Sequence, residues 1–259
     1  MTRRDDTSIG GSGDGLFHTT HWTSIVALQR QQDPNQRRLA MERLLKEYWK
    51  PIYCYLCRKG LDRERAKDLT QDFIANVILG RDLVARADRA KGRFRAFLCS
   101  ALKRYWVSAT RSEMAQKRLP AGRMVAMDAM EAPDALHPVT DCTPDQAFVY
   151  AWASSLLDAV LAAVRDGCCR AGQMAHWEAF HARIVGPIME GTRPPALPEV
   201  CAAHGIKNES IASNMIVTVR RRFRRTLWEH VRQMVGSDQD VDAEIQEIMQ
   251  ILSSCGAGA

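Results

Sequence analysis

Apolar residues recur every three to four positions along most of this chain. Phe148, Trp152, Leu156, Leu157, Val160 and Val164 form one such series, which lays a stripe along one side of a helix. Leu39, Leu44, Leu45, Tyr48 and Trp49 form another, and Met174, Trp177, Phe180 and Ile184 a third. No alternating apolar-polar run is long enough for a half-buried strand. The expected fold is all-α. The chain has 259 residues, 46% of them hydrophobic, enough for one large or two small packed domains.

Helix breakers and caps divide the chain further. Pro51 is expected to interrupt the stripe that ends at Trp49, and Gly60 to stop the helix after it. Asp62 is placed to cap a helix through Ala66, Leu69, Phe73, Val77 and Ile78. Residues 81–88 read as a short helix and turn, and Gly92 opens the next helix. Over residues 119–144 the periodicity fails and prolines accumulate, as in a flexible linker. The expected organisation is two helical domains: a lead at 1–16 without structure, a block at 17–118, the linker at 119–144, a second block at 145–235, and an acidic amphipathic tail at 236–259.

Charge is concentrated in two places. The net charge is +6. Lys91, Arg93, Arg95, Lys103, Arg104, Arg111, Lys117 and Arg118 stand against Glu113 alone, and Lys207, Arg220, Arg221, Arg222, Arg224, Arg225 and Arg232 against Glu209 and Glu229. Two separated basic patches suit two contacts with one polyanion. The first also carries rings: GRFRAFLCSALKRYW sets Phe94, Phe97, Tyr105 and Trp106 among its cations.

Other classes fit poorly. No apolar run is expected to reach the roughly 18–20 residues of a membrane span, and the N-terminus lacks the apolar centre of a secretory leader. A cytoplasmic protein with no membrane partner is expected. The eight cysteines are scattered, and only Cys54 and Cys57 form a CxxC pair, so no metal site and no cofactor is expected. His176 and His181 are five apart and do not share a helix face. No phosphate-cradling glycine loop and no catalytic motif appears, and no enzymatic activity is expected.

The segment 198–231 has the pattern of a helix-turn-helix. Pro198 suits a first helical turn, Gly205 a left-handed turn residue, and Asn208 the cap of the second helix. Ile211, Met215, Val219 and Phe223 are the expected buried stripe. Such a helix enters a major groove by its N-terminal end. Asn208, Glu209, Ser213 and Asn214 lie there, with Ser213 and Asn214 matched to base edges. Arg220, Arg221, Arg224 and Arg225 are suited to phosphates, which position without specifying.

Taken together, FHTTHW, AKDLTQDF, GRFRAFLCSALKRYW and the helix-turn-helix resemble bacterial RNA polymerase sigma factors of the extracytoplasmic-function type, in particular a subgroup with an FPTTHW-like start. The resemblance spans about 17–249. It implies that 17–118 corresponds to sigma region 2 and 145–235 to sigma region 4. It further implies that the basic-aromatic helix engages and helps to open the minus-10 element, with Arg95, Lys103 and Arg104 on the backbone and Tyr105 and Trp106 as ring contacts. Phe94, Phe97, Leu98 and Leu102 have the spacing of a buried face instead. Asp68, Gln71 and Asp72 would dock on core polymerase, and the helix-turn-helix would read the minus-35 element. Lys67 beside Asp68 departs from the usual acidic pattern, and a phosphate on Thr70, expected on this surface, would restore negative charge. The implied partners are core polymerase, through the clamp helices of the largest subunit and the flap of the second-largest, and promoter DNA; an anti-sigma protein or a Ser/Thr kinase is admitted as well. The alternative is a stand-alone helix-turn-helix regulator, which leaves the first block without a task.

Overall fold

A computed structural model describes residues 22–116, 142–235 and 237–256. Residues 17–21 of the FHTTHW motif and most of the expected linker, 119–141, lie outside the described residues. Within the described residues every regular element is helical.

The first block opens with α1 (Trp22–Arg30) and α2 (Pro34–Arg58), which Asp33 caps by accepting from the Asn35 amide. Contrary to expectation, α2 runs straight through Pro51. An interior proline costs about 3 kcal/mol of helix propensity. Tyr48, Trp49, Ile52, Tyr53, Tyr55 and Leu56 around it are all buried, at about 1.5–3 kcal/mol for each large apolar side chain. Packing therefore outweighs the broken hydrogen bond. Leu39, at the solvent end of the expected stripe, stays exposed.

Asp62 caps α3 (Arg63–Phe73), accepting from the Arg65 amide at 2.8 Å. The chain continues as a wider π-helical turn, Ile74–Leu79, and a single tight turn, Val84–Arg86. Gly92 has φ 111°, where a side chain would be strained, and it swings the chain into α4 (Phe94–Gln116). Two motifs of the sequence meet here: the Trp22 ring packs edge-on against Phe94 at 6.2 Å, and Tyr48 does so from α2 at 5.5 Å.

The second block begins with α5 (Pro144–Arg170), held by a reciprocal cap between Thr143 and Gln146. α6 (Met174–Phe180), a π-helical turn His181–Val185, α7 (Gly186–Glu190), α8 (Leu197–His204), α9 (Glu209–Arg232) and α10 (Asp240–Gly256) follow. Contrary to expectation, α5 is long and apolar enough by composition to cross a membrane, with a mean hydropathy of 1.7 over its most apolar window. Half of that window is buried. α2, α6, α9 and α10 pack against it, so its apolar length serves the core, while Asp158, Arg165 and Asp166 stay exposed on the uncovered side. One interior runs from Trp22 to Ile248. Tyr48 of α2 stacks on Phe148 of α5 at 6.3 Å, so the two blocks of the sequence share a core.

Candidate nucleic-acid interface

α8 and α9 are joined by a four-residue turn, 205–208. Gly205 takes φ 63°, the left-handed region in which a Cβ is unfavourable by roughly 1–2 kcal/mol. Asn208 then caps α9, its side-chain oxygen accepting from the Ile211 amide at 2.9 Å. Ala212, Ile216, Val219, Leu227 and Val231 of α9 face the core, with Phe223 half-buried. The expected stripe is therefore displaced by one residue at its start: Ile211 is 37% exposed and Met215 only half-buried.

The opposite face of α9 is open to solvent. Glu209, Ser213, Asn214, Arg220, Arg221, Arg224 and Arg225 are all exposed. Asn208 is exposed too, but its carbonyl oxygen is engaged in the cap. Arg222 points inward, donating to Cys168 Sγ at 2.9 Å and to Gln173 Oε1 at 3.0 Å. A groove of about 410 Å³ runs beside the helix, bounded by Ser213, Val217 and Arg220 and, across from them, by Arg183, Ile184 and Ile188.

On α4 the expected contacts divide. Arg104 is exposed. Lys103 is half-exposed and held by Asp145 of α5 at 2.8 Å; that hydrogen bond is the main cause of its raised pKa. Tyr105 is half-buried against Phe73, with centroids 5.3 Å apart. Burial first, and then the Asp72 charge, push its phenol up to about 12. Trp106 is also half-buried. As expected, Phe94, Leu98 and Leu102 lie in the core, while Phe97, expected on the same face, is only half-buried.

Arg95 is a correction. It was expected to hold a phosphate, but it is only 6% exposed. Its guanidinium lies 4.4 Å over the Trp152 ring and pairs with Glu244 and, at 3.2 Å, with Glu247. Arg93 pairs with the same two carboxylates. Its Nη2 lies 2.6 Å from Glu244 Oε2 without the alignment of a hydrogen bond, so that contact is charge pairing. Glu244 and Glu247 belong to α10, which has no lysine or arginine. Glu244, Glu247 and Asp145 were not singled out from the sequence, and Trp152 was read only as part of an apolar stripe. The signal available was two glutamates three apart on an acidic amphipathic helix.

On α3, Asp68, Gln71 and Asp72 are all half-buried along the rim of the helix, while Leu69 and Phe73 pack inward. Thr70 is a second correction. It was expected on this surface, yet it is fully buried and donates to the Ala66 carbonyl at 2.7 Å. A kinase has no access to that hydroxyl in this conformation. Burial pushes the Cys54 and Cys99 thiols up to about 12, with Asp145 contributing at Cys99. Neither is a ready nucleophile at neutral pH.

No protein-family model, curated protein or solved structure matches this chain. The fold and site define a class only: the described residues are all-helical and present an exposed helix-turn-helix and, separately, a basic helix with half-buried rings.

Proposed function

We propose that this chain is a sigma-type initiation factor, which brings core RNA polymerase to chosen promoters in the cytoplasm and assists strand opening. The observation that carries the reading is the exposed face of α9, where Ser213 and Asn214 precede Arg220, Arg221, Arg224 and Arg225 on a capped helix. Amides and hydroxyls near the N-terminal end suit base edges, and guanidiniums further along suit phosphates. Arg104, with Tyr105 and Trp106 beside it on α4, supplies the second requirement. Opened strands need a cation for the backbone and rings on which to stack, at about 1–3 kcal/mol per base. Asp68, Gln71 and Asp72 offer core polymerase a polar rim on α3. None of this is catalytic chemistry; the chain lends address and grip to an enzyme that it joins.

The test is transcription in vitro with core enzyme and a pool of genomic promoters. Promoter-selective transcripts that depend on this protein are expected. If the protein shifts duplex DNA specifically without core and never redirects core, it is a stand-alone regulator instead.

A further inference from the structure

α10 covers the start of the basic-aromatic helix. Glu244 and Glu247 lie three apart, on one face of α10, and both meet Arg93 and Arg95. Glu244 is fully buried and Arg95 nearly so. Val241 and Ile248 anchor the same helix in the core. About two turns further along α4, Asp145 neutralises Lys103. Thus Arg93, Arg95 and Lys103 are all occupied by acids of α10 and α5, while Arg104 is left exposed.

We infer that α10 is an internal competitor for nucleic acid: its two carboxylates occupy the guanidinium pair that a phosphodiester backbone would otherwise take. A carboxylate and a phosphodiester offer a guanidinium fork the same kind of edge, two oxygens sharing one negative charge. The two cannot hold the same N–H groups together, so binding of one opposes binding of the other. The Trp152 face beneath Arg95 keeps that guanidinium flat and aimed, whichever anion is bound. Release of α10 would free Arg93 and Arg95 to extend the cationic track that begins at Arg104. The inference rests on the reading of α4 as a nucleic-acid contact, and the experiment separates the two.

The probe is a fluorophore-labelled, A·T-rich single-stranded oligonucleotide, titrated into the full-length chain and followed by anisotropy. Hydrogen exchange over 240–256 is measured in parallel. Glu247→Gln loosens the clasp without emptying the buried Glu244 position. Asp242→Asn makes the same change of charge at an exposed site on the same helix and outside the clasp. Glu247→Gln is expected to tighten binding roughly fivefold or more and Asp242→Asn by much less. Exchange of α10 should rise in Glu247→Gln, and in the parent on addition of the oligonucleotide. Equal affinities for the parent and Glu247→Gln, or equal gains for the two variants, would overturn the competitor and leave the nucleic-acid reading standing. If neither the parent nor Glu247→Gln binds and Arg104→Gln changes nothing, the nucleic-acid reading itself fails and the competitor goes with it.

Discussion

At the residue scale the pairing of Arg95 with Glu244 has the largest energetic consequence. Both side chains are removed from water, so each depends on the other for compensation. Removing one partner of an isolated buried pair costs about 3–5 kcal/mol; here Glu247 stays on Arg95 and Arg93 on Glu244, so the survivor is left partly compensated and the cost is nearer about 3 kcal/mol. Glu244→Ala and Arg95→Ala are each expected to lower stability by that amount in urea titration. Replacing both by apolar residues of similar volume should recover most of it, since a buried ion pair is often no better than good packing. Glu247 behaves differently because it is half-exposed. Burial alone would raise its pKa, but the Arg93 hydrogen bond and the Arg95 and Arg93 charges outweigh burial and hold it below the ordinary value of 4.5. A carboxyl lowered in the folded state stabilises fully above 4.5, and its contribution is lost as pH falls through the lower folded value. Acidification below 4.5 is therefore expected to speed hydrogen exchange in α10 of the parent, and less so in Glu247→Gln.

At the element scale the proposed reading divides α9 along its length. Ser213→Ala or Asn214→Ala should relax preference at one base pair by about 1–3 kcal/mol, read by binding to a panel of promoter variants. Arg224→Gln or Arg225→Gln should weaken all sequences alike and lower the salt slope by about 1 each. Upstream, Asn208→Ala removes the acceptor for the Ile211 amide, and a loss of about 1 kcal/mol is expected in thermal melts. The capping residues were legible in the sequence because caps are local chemistry. Asp62, Gly205 and Asn208 act within a few residues of themselves. The buried stripe of α9 was legible only to within one residue. Ile211 and Ala212 are both apolar, and the angle at which α9 meets the core decides which of them is covered.

At the scale of the whole molecule the shared interior matters most. α2 lies along α5, and aromatic rings from both blocks stack across the contact. A core that crosses between two blocks couples their unfolding. Calorimetry is expected to show one cooperative transition; two well-separated transitions would mean that the blocks fold independently.

The sequence by itself determined that the fold is all-helical, where several helices begin, and which helices carry the cations. Those properties follow from periodicity and from interactions within one or two turns. The fate of each cation was decided by the tertiary structure. Arg95 and Arg104 look alike on one helix, yet one is buried under α10 and the other faces solvent. Thr70 sits among polar residues and is nonetheless sealed in the core. What covers a side chain is set by segments distant in sequence: Glu244 lies 149 positions from Arg95. Helical spacing within one segment carries no information about contacts at that range.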